Sequence, residues 1–364
     1  MRRNDEHHGG HRAIAKTDEV RNGVRAERYV SCIFPRKMRT SFAVFLAALI
    51  GLAFSPPRPA QKPVPRPTRA ARPPLACGDY LAFQVLLDRQ GFSPGEIDGR
   101  GGDNFTHAVI ALQEARNVSP THRPDCDTWH ALAGDTAAPT LMPYTVTEED
   151  LKGPFVKEIP QSMLAQARLP ALGYRSPLEE LAERFHASPA LLQEINRRAP
   201  LVAGREIKVP AVTPFDPNAK PKPASEADAG LTVQVSREES ALRVMHPDGS
   251  LVFFAPVTTG SVHDPLPPGN WTVVGLDWHP MFHYNPTLFW DAKTTDTKAT
   301  IQPGPNNPVG VIWISLNLEH YGLHGTPEPG RIGHTESHGC VRLTNWDAVR
   351  VASLVKRGTP VVFK

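Results

Sequence analysis

The stretch from Tyr321 to Trp346, YGLHGTPEPGRIGHTESHGCVRLTNW, constrains this chain more than any other. With His320 just before it, it sets His324, His334 and His338 ahead of Cys340, the only cysteine after Cys126. A cysteine nucleophile needs a base to take the thiol proton and donors to hold an oxyanion. Histidine suits the first task, since its pKa lies near neutrality and an imidazolium lowers the pKa of a nearby thiol. Gly339 allows a sharp turn at which consecutive N–H groups converge on one oxygen. Two other readings stand beside this one. A lone cysteine is commonly a small buried hydrophobe. Zinc is the other, because His320 and His324 are four apart and Cys340 completes a ligand set; against it, Gly322 and Gly325 break any helix that would put both histidines on one face.

The ordered pattern His324-Gly325, then Ser337-His338-Gly339-Cys340-Val341-Arg342-Leu343, resembles the signature of the L,D-transpeptidases, the YkuD-type cysteine enzymes of bacterial peptidoglycan. That resemblance implies Cys340 as nucleophile and His324 as its general base, with the Gly325 carbonyl orienting the imidazole. It implies that His338 and Gly339 shape the oxyanion site. Arg342 then holds a substrate carboxylate or steadies the loop, and Tyr321 joins Gly325 and Arg342 among the substrate-binding residues. No metal and no cofactor is implied.

The resemblance extends over residues 231–364 and implies a β-rich sandwich with one helix behind the nucleophile. Thr232–Val235, Ala241–Met245 and Leu251–Pro256 are short β-prone runs separated by turn residues. Thr258-Thr259-Gly260 and Leu266-Pro267-Pro268-Gly269 resemble the T-G and T-P-x-G segments of the family, with Leu266 in place of the threonine. An apolar strand from Val309 to Leu316 is expected to deliver His324 at its far end. Thr344 caps a helix with Ala348, Val351, Ala352 and Val355 on one face, stopped by Gly358, and residues 360–363 form a last strand. His279, His283, Tyr284, Phe289 and Trp290 fall in an insertion-like loop that either lines the groove or packs beneath it.

Upstream, the chain divides by composition. Residues 1–37 are polar and aperiodic. Residues 38–55 combine a short cationic start with an apolar run, SFAVFLAALIGLAF, which is the layout of a secretory signal and short for a bilayer span. Met38 is therefore read as the true start, with an uncleaved N-terminal anchor as the alternative reading. Residues 56–76, dense in proline and arginine, read as an extended tether. Net charge is only +3 over 364 residues, which gives no nucleic-acid footprint.

Residues 77–135 read as a small helical bundle, with Leu81, Val85 and Leu86 on one helix and Phe105, Ala108, Val109 and Leu112 on a second capped by Asp103 or Asn104. LLDRQGFSPGEIDG, ALQEARNVS and DTW resemble the peptidoglycan-binding domain 1 family. Cys77 and Cys126 flank this unit, and their pairing leaves Cys340 for catalysis while stapling a domain too small to bury much surface. Residues 144–210 read as strand–helix–helix–strand, with Ser176-Pro177 and Ser188-Pro189 as helix starts. LAERFHASPALLQEIN and AGREIKVP resemble a LysM domain, interrupted by a long insertion between Thr147 and Tyr174. Residues 211–230 read as linker. The fold class expected is thus multidomain α+β.

The resemblance implies a periplasmic or envelope enzyme acting on peptidoglycan stem peptides and glycan. It forms 3→3 cross-links, with an envelope protein or water as other acyl acceptors, water giving an L,D-carboxypeptidase. Readings from other classes are a non-catalytic wall-binding protein and a zinc peptidase. Export predicts that N-terminal sequencing of envelope-fraction protein starts near Pro56; a chain starting at Met1 in the cytosol refutes it.

Overall fold

Asp79 starts helix α1 (Tyr80–Arg89), its carboxylate accepting the Ala82 N–H at 2.8 Å. A computed structural model describes residues 74–225 and 228–364; the expected leader and most of the proline-rich tether lie outside the described residues. Helix α2 (Asp103–Ala115) starts from Gly102 with no side-chain cap, so neither Asp103 nor Asn104 caps it. Asn104 instead donates to the Ile332 carbonyl at 2.8 Å. Asp125 caps α3 (Cys126–Ala131). Phe83, Leu87, Phe105, Val109 and Leu112 form the bundle core, and a Cys77–Cys126 disulfide closes it as expected.

The next unit runs β1 (Leu141–Thr145), α4 (Glu149–Lys152), α5 (Met163–Gln166), α6 (Pro177–Arg184), α7 (Pro189–Ile195) and β2 (Glu206–Pro210). Ser176 and Ser188 cap α6 and α7, each followed by proline at the first helical position. β1 and β2 pair antiparallel, with Leu141 opposite Pro210. The β-α-α-β order is the one expected, with α4 and α5 lying in the insertion.

The C-terminal region contains β3 (Thr232–Ser236), β4 (Ala241–Met245), β5 (Leu251–Pro256), β6 (Gly269–Trp278), β7 (Phe282–Tyr284), β8 (Ala299–Ile301), β9 (Ile312–Leu316), β10 (Gly322–His324), β11 (Val341–Arg342), α8 (Asn345–Leu354) and β12 (Pro360–Phe363). Eight of these strands form one mixed sheet in the order β11-β10-β9-β6-β12-β3-β4-β5, and β7 pairs with β8 apart from it. The expected sandwich is therefore corrected to a single sheet. The reason lies in β6, which pairs β12 through residues 269–272 and β9 through residues 273–278. Strands that a sandwich would divide between two layers are joined edge to edge along this one long strand. Thr344 caps α8 as expected, but the helix ends at Leu354, before Gly358. Ala348, Val351 and Ala352 of α8 pack on Val233, Val244, Ile314 and Leu323 of the sheet.

The three regions meet at the start of α8. Ser93 donates to Asp347 at 2.8 Å, and the His186 ring stacks on Trp346 with centroids 5.0 Å apart. Asn345 Nδ2 donates to Glu183 Oε1 at 2.7 Å. Phe215, within the expected linker, is buried against Val311 and Trp346.

Glu183 is buried, and desolvation, reinforced by Glu179 and Glu96 against the opposing Asn345 bond, pushes its pKa up to about 8. A carboxyl with a raised folded-state pKa binds its proton more tightly in the folded protein. Its contribution is fully present below the ordinary carboxyl range and is lost as pH rises through about 8. Glu183→Gln keeps an acceptor for Asn345 and cannot ionise. Thermal unfolding should show the variant gaining on the native protein as pH goes from 5 to 9; a pH-independent difference would mean that Glu183 does not titrate there.

Candidate active site

The sheet brings the candidate histidine and cysteine together through one short parallel pairing. In β10 and β11, Leu323 lies opposite Val341 and His324 opposite Arg342. His324 is on β10, not at the end of the preceding strand as expected. β9 pairs antiparallel with β10, with Trp313 opposite His324, and the two rings stack with centroids 5.3 Å apart. Cys340 immediately precedes β11 and is buried, as is His324. Cys340 stands in a disulfide in this structure, so thiol chemistry belongs to its reduced form.

His324 Nδ1 donates to the Gly325 carbonyl at 2.7 Å. That bond fixes the proton on Nδ1 and leaves the Nε2 lone pair available. Burial, then the positive Arg342, lowers the His324 pKa to about 3, against the opposing pull of the Gly325 bond. The imidazole is thus neutral at neutral pH, a base rather than the imidazolium partner that the sequence reading allowed.

Gly325 owes its identity to Asn345: a Cβ there would lie 2.0 Å from Asn345 Oδ1. That oxygen accepts the Val311 N–H at 3.2 Å, while Nδ2 is shared between Glu183 and the Pro305 carbonyl.

Gly339 adopts φ 102°, in the region that favours glycine, and a Cβ there would lie 2.9 Å from the Tyr321 ring. Tyr321 therefore packs beneath the turn before Cys340. Ser337 ties that turn: its hydroxyl donates to the Cys340 carbonyl at 2.7 Å and accepts the Gly339 N–H at 3.2 Å. The Thr258–Gly260 segment clamps the same loop. Thr258 and Arg342 exchange backbone bonds, and Ser337 N–H donates to the Thr259 carbonyl.

His338 Nε2 donates to Asp291 Oδ1 at 2.8 Å, its ring lies edge-on to Phe289, and Nδ1 is buried with no partner among the described residues. Arg342 has no carboxylate within ion-pair distance among the described residues, and its Nε is buried without a partner. Burial lowers its pKa, yet an arginine stays charged. Glu328 and Asp291 offset that burial only from a distance, so the guanidinium is suited to an anionic group from outside.

One cavity of about 630 Å³ joins these groups. Cys340, His324, His338 and Arg342 line it with Trp313, Tyr284, Phe289 and the charged Asp291, Lys293 and Asp296. Tyr284 and Phe289 of the insertion-like loop therefore face the cavity. Trp290 stacks on His263, and His279 reaches the Pro217 carbonyl instead. His334 lines a separate small cleft with Glu96 and Asp98. Among the described residues no group of three or more His, Cys, Asp or Glu could hold a metal ion. The sequence reading missed Asp291, Trp313, Asn345 and the cavity residues Gln161, Ser162 and Met163. Asn345 stands beside the expected cap Thr344, but nothing in the local sequence signals its contact with Gly325.

Residues 231–363 match the L,D-transpeptidase catalytic domain family and residues 78–132 the family described as "Putative peptidoglycan binding domain". The "Putative L,D-transpeptidase YkuD" proteins of Bacillus licheniformis and Bacillus subtilis are 28% and 27% identical, each over 50% of this chain and 91% of their own length. A solved L,D-transpeptidase from Mycobacterium smegmatis is 16% identical with a TM-score of 0.31, covering 45% of this chain and 64% of that one, so the assignment rests on the sequence matches. By those matches the chain carries an L,D-transpeptidase catalytic domain of the cysteine-dependent YkuD family behind a peptidoglycan-binding domain, and is a cell-wall enzyme of the extracytoplasmic space.

Proposed function

We propose that reduced Cys340 is the nucleophile of an acyl transfer that builds 3→3 cross-links between peptidoglycan stem peptides, and that His324 is its base. The carrying observation is the Nδ1 bond to the Gly325 carbonyl, which leaves the Nε2 lone pair available on an imidazole that lines one cavity with Cys340. His324 takes the thiol proton as sulfur attacks the amide carbonyl between the third stem residue, a diaminopimelate, and the terminal D-Ala. The C–N bond breaks, D-Ala leaves with the proton from His324, and a thioester remains. A side-chain amine of a second stem peptide then attacks the thioester and loses a proton to His324. The new amide forms and the thiol is restored.

Gly339 serves by its backbone turn, which, with its own N–H held by Ser337, sets the direction of the Cys340 amide, and His338 shapes the same site from beside the turn. Each oxyanion donor is worth about 3–4 kcal/mol. Arg342 takes a substrate carboxylate, which supplies the direct ion pair that Glu328 and Asp291 do not make. Tyr321 supports the turn and the substrate beside it. An envelope protein or water as acceptor follows the same first step. The β-α-α-β unit, read as LysM-like, offers a groove of about 290 Å³ between Ser176, Leu178, Asn196 and Leu201 for the glycan. Export by residues 38–55 delivers the enzyme to the periplasm.

Incubating the reduced protein with muropeptides and analysing products by mass spectrometry tests the reading directly: a cross-linked dimer is expected, and neither dimer nor tripeptide product refutes it. A carbapenem should add its full mass once, on the peptide holding Cys340, and should leave Cys340→Ala and Cys340→Ser unmodified. His324→Ala should lose turnover by about a hundredfold or more with its fold intact. His338→Ala should lose less thiol reactivity; the opposite ranking would exchange the two roles.

The lowered pKa of His324 has a further consequence. Because burial and Arg342 hold the imidazole neutral, the base stays available as pH falls through the ordinary histidine range. The acid limb of kcat/KM for acylation should therefore lie well below 6.5. A limb at 6.5 would mean that the imidazole is solvated during reaction.

A further inference from the structure

Gln161, Ser162 and Met163 line the cavity that holds Cys340, His324 and Arg342, yet they lie outside both family matches, which span residues 78–132 and 231–363. They belong to the insertion between Thr147 and Tyr174 in the β-α-α-β unit. A loose surface loop would make this proximity uninformative, but the insertion is anchored at both levels. Leu172 is fully buried; its N–H donates to the Pro303 carbonyl at 3.0 Å and its carbonyl accepts the Asn306 N–H at 2.9 Å. Asn306 Nδ2 adds a bond to the Gly173 carbonyl at 3.0 Å. Gln166 Nε2 donates to the Pro160 carbonyl at 2.8 Å, closing the turn ahead of α5.

Side chains complete the attachment. Ile159, Met163, Ala167 and Leu169 pack on the cluster formed by Phe282, Tyr284, Ile301, Trp313 and Cys340. The insertion thus shares one apolar cluster with the candidate nucleophile. Its exposed tip at Gln161 and Ser162 and the half-buried Met163 face the same space.

Building on the transpeptidase reading above, we propose that residues 154–173 are a fixed wall of the active site and that Gln161 and Met163 are specificity-determining residues for the peptide stem. The cavity volume of about 630 Å³ falls in the range of sites that enclose a ligand of several residues' bulk. The reacting atoms occupy only its Cys340 end. Gln161, Ser162 and Met163 bring an amide, a hydroxyl and an adaptable thioether to a lining that also holds Tyr284, Phe289, Asp291, Lys293 and Asp296, a mixture that takes the aliphatic, amide and charged parts of a peptide. The unit that the sequence sets apart as an accessory module therefore forms part of the substrate site.

The test uses the full exported chain under mild reduction. Gln161→Trp places bulk at an exposed position that tolerates it, Met163→Trp fills the cavity, and Met163→Leu is the conservative control. Affinity for a disaccharide-tetrapeptide muropeptide is measured by calorimetry in a Cys340→Ala background, alongside kcat and KM with Cys340 present. Both tryptophan variants should weaken binding and raise KM by about tenfold or more, while Met163→Leu stays within about threefold. Unchanged affinity in both tryptophan variants, with melting temperatures matching the parent, overturns the wall. Weakened affinity in a parent that binds muropeptide but makes no product leaves the wall standing and refutes the transpeptidase reading instead.

Discussion

The buried amide of Asn345 is the contact on which the rest of the site depends. Its oxygen accepts the Val311 N–H ahead of β9, and its nitrogen donates to Glu183 of α6 and to the Pro305 carbonyl. The same oxygen fills the space that a side chain at residue 325 would need. Gly325 thus lies pressed against a group that is itself held from two sides. Its carbonyl selects the tautomer of His324. A buried amide left with one bond unmade costs about 1–3 kcal/mol, so these partners hold one another in a single arrangement. Orientation of the proposed base is therefore a property of the packed interior rather than of the short strand that carries it.

Electrostatics at the cavity floor follow from the same burial. His324 and Arg342 are opposite one another in a two-strand pairing, and among the described residues neither has a carboxylate within ion-pair distance, Glu328 and Asp291 acting on Arg342 only from farther away. A neighbouring positive charge and a dry environment both disfavour an imidazolium. The favoured resting state of the reduced site is then a neutral imidazole beside a thiol, with charge separating only as the thiol proton moves. If Arg342 takes a substrate carboxylate as proposed, that charge reduces the positive field felt by His324. Under that proposal, substrate binding and the strength of the proposed base are coupled through that one guanidinium. Such coupling raises the proton affinity of His324 at the moment when a proton has to be taken.

Much of this was legible in the chain. The order His-Gly, then Ser-His-Gly-Cys-Val-Arg, picked out the histidine, the cysteine and the arginine through its resemblance to a family signature, and Gly325 for the tautomer and Gly339 for the turn are immediate neighbours, whereas the bonds of Arg342 to Thr258 are not. Helix starts at Ser176, Ser188 and Thr344 were legible because a cap is a contact over three residues. What escaped depends on long-range contact. The sandwich expectation failed because no local pattern shows that β6 carries β12 along one part of its length and β9 along the other. Asp291 is met by His338 across 47 residues, and Glu183 meets Asn345 across 162. The segment expected as linker holds a fully packed Phe215, whose apolar side chain was the one available signal.

The division into modules drawn from composition therefore describes the sequence better than it describes the working parts. Trp346 at the start of α8 is covered by His186 of the β-α-α-β unit, and Asp347 beside it is bonded to Ser93 of the helical bundle. Gly91 and Ser93 exchange backbone bonds with Phe254 of β5. Such contacts bury polar groups that find partners only when all three regions are in place, which resists independent movement of any one of them. A binding surface on either accessory region is consequently held at a fixed distance and angle from Cys340. For an enzyme whose substrate is a continuous polymer, a fixed offset converts attachment at one point into a high local concentration of a stem at another, provided the spacing matches. A flexible tether between the same regions would spread that concentration over many geometries. Rigid docking restricts it to stems at one spacing along the glycan.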